Sequence, residues 1–112
     1  MKIQTLPRGN VIVISAHGPL VAEDLADLRR AVENALTAGG QRLLLDLADV
    51  PYLDSAGMEL LLELCQAGLG PQRRPRIAAL SETCLEALEL TDVLPRLEVF
   101  DTVENAVRSC QR

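Results

Sequence analysis

The sequence predicts an α/β domain, a mostly parallel sheet that opens with a β-hairpin and carries about four packed helices. Three observations predict it. Val11-Ile12-Val13-Ile14 and Leu43-Leu44-Leu45 run apolar without polar alternation, as strands covered on both faces do. The later segments between strands repeat their apolar residues at helical spacing. The order these segments make, β-β-α-β-α-β-α-β-α, demands parallel strands joined by helical crossovers. With 112 residues and no repeat or low-complexity tract, the chain reads as one domain over 1–112.

Lys2 to Leu6 reads as the first strand, and Pro7, Arg8, Gly9 and Asn10 as a turn. Val11 to Ile14 is the second strand, ended by Gly18 and Pro19. Glu23 and Asp24 place acids at the positive end of a first helix. Its core face is Leu25, Leu28, Val32, Ala35 and Leu36, and Gly39 and Gly40 stop it. Leu43 to Leu47 is a third strand, apolar on both sides except at Asp46. Ser55 to Ala67 is a second helix with Met58, Leu61, Leu62, Cys65 and Leu69 as its main stripe, ended by Gly68 and Gly70. Ile77 to Leu80 is a short fourth strand. Thr83 with Glu86 has the form of a capping box for a third helix, with Leu85 and Leu88 as core contacts. Leu97 to Phe100 is a fifth strand. Asp101 with Glu104 caps a last helix along Val103, Ala106, Val107 and Cys110. Strand order does not follow from the sequence.

Composition narrows the function classes. Aromatic residues are 2% of the chain, so the core is aliphatic. A net charge of −5 disfavours nucleic acid and anionic membrane surfaces, and suits a protein partner. No charged n-region leads into an apolar run and no apolar run is long enough for a bilayer, so no signal peptide and a cytoplasmic location without membrane insertion are expected. Cys65, Cys84 and Cys110 show no metal-binding or redox spacing and read as reduced core thiols. No glycine-rich phosphate-binding signature is present, so no cofactor is expected. His17 is the only histidine and reads as the end of the second strand. Arg73, Arg74 and Arg76 read as a solvated basic loop. Leu60 and Leu64 widen the apolar stripe of the second helix, either into the core or as a contact surface. With no catalytic set visible, the chain is not expected to be an enzyme.

The informative stretch runs from Asp46 to Met58. A buried strand ends, a loop follows, and Ser55 stands where a helix begins. Backbone N–H groups left open at a helix start favour an anion, so the fold could tolerate a phosphoryl group on Ser55. Asp54 adds charge beside it, and Gly57, lacking a side chain, lets another backbone approach. Phosphorylation would place about −1.5 to −2 charge units where a neutral hydroxyl stood. Taken alone, the same chemistry also describes a helix capped by Ser55 or Asp54.

The line Asp46-Leu47-x-x-Val50-x-x-x-Asp54-Ser55-x-Gly57 resembles the central signature of STAS domains, the sulfate transporter and anti-sigma factor antagonist family. Gly18-Pro19-Leu20 resembles the family's Gly-x-Leu, and Leu88-x-x-Thr91-x-Val93 its Leu-x-x-Thr-Gly-Leu. The resemblance runs over nearly the whole chain and implies an anti-sigma factor antagonist. By it, Ser55 is the residue phosphorylated by an anti-sigma factor that is also a serine kinase. It further implies that the unphosphorylated form binds that kinase and frees a sigma factor, and that a phosphatase resets the switch. The partner surface it implies comprises Gly18, Leu20, Glu23, Asp24, Asp54, Ser55, Ala56, Gly57, Met58 and Glu59. Three features depart from the pattern. Ala56 stands where many antagonists have a second Ser, Asp92 replaces the Gly after Thr91, and the loop before the fourth strand is basic and lacks the usual Gly. Versions with Ala after the Ser also occur in STAS subunits of lipid-transport ABC complexes. A constitutive STAS subunit of an ABC-type lipid transport complex or of another signalling assembly is therefore the alternative.

Overall fold

A computed structural model describes residues 1–38, 42–66 and 75–110. Five strands, β1 (Lys2–Arg8), β2 (Val11–His17), β3 (Arg42–Asp49), β4 (Arg76–Ala78) and β5 (Val99–Phe100), form one sheet. The helices are α1 (Leu25–Ala38), α2 (Ser55–Gln66), α3 (Glu82–Leu90) and α4 (Val103–Cys110). Short 3-10 turns at Ala22–Asp24 and Leu94–Arg96 precede α1 and β5. The strand order is sequential, β1-β2-β3-β4-β5, with β1 antiparallel to β2 and every later pair parallel. The predicted class and element order are those observed.

Sequential parallel strands joined by right-handed crossovers put their connecting helices on one face. The apolar runs divide accordingly. Ile14, Ala16, Leu43, Leu45 and Ile77 pack with Leu28 and Val32 of α1, Leu60, Leu61, Leu64 and Cys65 of α2, and Cys84 and Leu88 of α3. The alternate residues Val11, Val13, Leu44 and Ala78 meet Ala106, Val107 and Cys110 of α4 on the other face. This two-faced cover explains the missing polar alternation in β2 and β3. All three cysteines are buried and none forms a disulfide among the described residues, and Leu60 and Leu64 lie in the core. Arg29 and Glu63 join α1 to α2 through a bidentate pair at 2.8 and 2.9 Å.

Several boundaries differ from the sequence reading. Pro7 lies within β1, opposite Ile12, so the turn shrinks to Gly9 and Asn10. An edge strand accommodates proline because no outer neighbour needs its N–H. β4 stops at Ala78, since Ala79 turns to φ 62°. Ser81, not Thr83, caps α3 and accepts the Cys84 amide at 3.2 Å. With the helix starting at Glu82, its inward face is Cys84 and Leu88, and Leu85 is 37% exposed rather than a core contact. Thr102, not Asp101, accepts the Asn105 amide at the start of α4, at 3.1 Å. Arg76 is not a solvated loop residue. It opens β4, between β3 and β5, and is 9% exposed with its Nε 3.2 Å from Glu98 Oε2. Gly39, Gly40, Gly68, Leu69, Gly70, Arg73 and Arg74 lie outside the described residues.

The departure at Asp92 has a backbone meaning. Its φ of 60° is left-handed, its amide donates to Glu89 O at 3.2 Å, and the Val93 amide donates to Leu88 O at 2.9 Å. This is the left-handed stop that ends many helices, where glycine carries no Cβ penalty. Asp92→Gly is expected to raise stability by about 0.5–1 kcal/mol, read as a higher urea midpoint at unchanged slope.

Candidate functional site

The end of β3 runs through Val50, which is fully buried, into a loop that delivers Ser55 as the first residue of α2. The loop after β2 lies against it. The Gly18 amide donates to Asp49 O at 3.1 Å, the Leu20 amide to Tyr52 O at 3.0 Å, and the Asp54 amide to Leu20 O at 3.2 Å. Leu20 and Leu53 pair as an isolated parallel bridge. Gly18 supplies the φ of 119° that turns the chain out of β2 and into this pairing.

Asp54 completes the clamp with its side chain. Oδ1 accepts the Gly57 amide at 2.9 Å and Oδ2 accepts the Ala22 amide at 3.1 Å. The carboxylate therefore caps α2 and also holds the turn that leads into α1. These donors, Gly57 first and then Ala22, hold the Asp54 carboxyl below its ordinary value. Gly57 is buried, and a Cβ on it would fall on the Leu20 carbonyl oxygen and lie 3.2 Å from the carbonyl carbon. The signature glycine is thus fixed by the backbone of the neighbouring loop.

Ser55 is exposed, one residue beyond this clamp. Of the two capping alternatives, the structure selects Asp54. One expectation changes with it. The helix-start donors that were to welcome a phosphoryl group are engaged in part, because Asp54 holds the Gly57 amide and the Met58 amide bonds to Asp54 O at 3.0 Å. A phosphoryl group on Ser55 would stand beside the Asp54 carboxylate and one helical turn from exposed Glu59.

The structure brings Gly18, Leu20, Asp54, Ser55, Ala56 and Gly57 together. Glu23 is exposed and Asp24 half-buried in the 3-10 turn that starts at Ala22, while Met58 and Glu59 continue the first turns of α2. Leu20 differs from its expected role. Its side chain is fully buried in the core, so it serves the surface only through its backbone. Two neighbours were not read as site residues from sequence. Tyr52 is 51% exposed in the loop before Ser55, and Thr91 Oγ1 lies 3.4 Å from Met58 Sδ at the end of α3. An aromatic residue in an aromatic-poor chain was the available signal for Tyr52; Thr91 stood in the motif Leu88-x-x-Thr91-x-Val93 but was given no place at the site. His17 ends β2, its ring nitrogens 2.7 Å from Asp49 Oδ2 and 3.2 Å from Gln4 Oε1. Among the described residues no group of three or more His, Cys, Asp or Glu could hold a metal ion. Among the same residues no helix is long and apolar enough to cross a membrane.

The family model described as STAS domain matches residues 2–106. An anti-sigma factor antagonist from Mycobacterium paratuberculosis superposes with a TM-score of 0.87 at 19% identity, over 99% of this chain and 94% of that one. The anti-sigma factor antagonist SpoIIAA in its unphosphorylated form gives 0.75 at 19% identity, over 98% and 96%. A sulfate transporter family protein from Wolinella succinogenes gives 0.77 at 20% identity, over 95% and 88%.

Gly57→Ala is expected to cost about 2–3 kcal/mol of stability, because a methyl group meets backbone rather than a movable side chain. Urea unfolding checks it. The pH dependence follows from the lowered Asp54 carboxyl. A folded-state value below the unfolded one gives a stabilisation that is complete above the unfolded value and lost as pH falls through the folded one. Asp54→Asn should therefore flatten the fall in urea midpoint seen on acidification below about pH 4.

Proposed function

The chain belongs to the STAS domain family, and on that premise we propose that it is a cytoplasmic anti-sigma factor antagonist, a binding module gated by phosphorylation of Ser55 and not an enzyme. The single observation that carries this reading is the exposed Ser55 at the first residue of α2, beside a carboxylate already committed to the clamp. Unphosphorylated, the surface of Ser55, Met58, Glu59, Glu23 and Asp24 docks on an anti-sigma factor and releases a sigma factor. That partner is also the kinase. It supplies the nucleotide, and the γ-phosphoryl group passes to Ser55 Oγ with loss of the hydroxyl proton and release of the nucleoside diphosphate. A phosphatase returns the hydroxyl. The added charge of about −1.5 to −2 meets Asp54 and Glu59 and repels a surface fitted to the neutral form.

Ala56 favours a second reading, a constitutive STAS subunit of an ABC-type lipid transport complex in which Ser55 is a contact residue only. Intact-mass analysis of the chain from its native host separates the two. One phosphate mapped to Ser55 supports the switch; its absence under every growth condition, with an ATPase co-purifying, supports the subunit. In binding assays with the host's anti-sigma kinases, Ser55→Asp should abolish association while Ser55→Ala retains it with an unchanged urea midpoint. Equal affinity of the two variants would remove the switch.

A further inference from the structure

We infer that the last turn of α3 belongs to the docking surface, with Leu90 as an apolar anchor for a pocket rimmed by basic residues on the partner. The inference rests on the functional reading above and extends it to an element that reading does not use. Among the described residues Leu90, at 78% exposure, is the most exposed large apolar side chain. A single exposed leucine is ordinary. Two further observations set this one apart.

The first is position. α3 packs on the segment that leads to Ser55 and, at its last turn, on the start of α2. Cys84 Sγ donates to Val50 O at 3.4 Å, and Thr91 Oγ1 approaches Met58 Sδ at 3.4 Å. Met58 is one turn from Ser55 on α2, so the end of α3, where Leu90 precedes Thr91, adjoins the first turn of α2. A partner large enough to cover Ser55 at ordinary interface size would reach the end of α3.

The second is charge. From Ile77 to Pro95 the chain carries four acids, Glu82, Glu86, Glu89 and Asp92, and no Lys or Arg. All four are exposed. α3 ends with no basic residue in its last turn, so the negative end of its dipole adds to Glu89 and Asp92. Glu59, Glu23 and Asp24 at the Ser55 site carry the same sign. An exposed leucine on a helix whose own charged residues are all acidic is complementary to an apolar pocket with a basic rim. Neither nucleic acid nor an anionic membrane offers that combination.

The test uses the full chain and the purified serine-kinase anti-sigma factors of its host, titrated one by one by calorimetry. Leu90→Ser should weaken binding at least about tenfold, since a side chain that fills a partner pocket is among the few contacts that dominate an interface. Its urea midpoint should stay at the wild-type value, because the residue is in solvent. Glu86→Gln with Glu89→Gln should weaken binding about threefold or more and flatten its salt dependence. If the wild type binds, Ser55→Asp abolishes binding, and both the Leu90 and the glutamate variants bind within twofold of wild type, the inference fails and the switch stands. If no kinase binds the wild type, the functional reading fails and the inference with it.

Discussion

The Leu20 carbonyl is the point on which the surface at the strand ends depends. It accepts the Asp54 amide and occupies the space where residue 57 would carry a Cβ. Its side chain is anchored at full burial in the main core. The loop after β2 and the start of α2 are therefore held to the hydrophobic interior through one residue. Asp54 closes the same joint from the other side, with one oxygen on each segment. Removing the space at Gly57 or an acceptor at Asp54 would leave the joint to the Gly18–Asp49 and Leu20–Tyr52 backbone bonds.

Topology explains why these segments meet at all. β2 and β3 are parallel neighbours, so both leave the sheet at the same edge and their following loops run side by side. The helices that follow share one face, which sets the first turn of α2 between α1 and α3. The Arg29–Glu63 pair fastens one flank, and the Thr91–Met58 approach marks the other. A partner arriving over Ser55 meets a surface made from three connections of one sheet.

Much of this was legible in the residues, for identifiable reasons. Uninterrupted β-branched and leucine runs report two-faced burial, so β2 and β3 were plain. Helical spacing located α1, α2 and α4, because their apolar stripes are wide. Caps were harder. Ser, Thr and Asp cluster before α3 and α4, and local spacing chose Thr83 and Asp101 where tertiary placement uses Ser81 and Thr102. Strand order was hidden because parallel pairing depends on non-local contacts. The buried Arg76 was hidden because a charge beside two other arginines reads as solvated unless its sheet neighbours are known. At the site, Ser55, Asp54 and Gly57 stood out by motif. That Leu20 acts through its carbonyl rather than its side chain required coordinates.

The clamp also constrains how a phosphoryl group on Ser55 could act. An anion at a helix start is usually stabilised by open backbone N–H groups. Here Asp54 takes the Gly57 amide, and its charge already offsets part of the helix dipole. A second anion at Ser55 would gain less from the helix and would be repelled by Asp54, so it would project toward solvent. Meanwhile the backbone bonds between Leu20, Tyr52 and Asp54 do not involve the Ser55 hydroxyl and would persist. The phosphorylated and unphosphorylated chains would then share one backbone, differing in the charge displayed at a single point. Discrimination between them falls to the partner, through repulsion and loss of a neutral contact, and requires no second conformation of this domain.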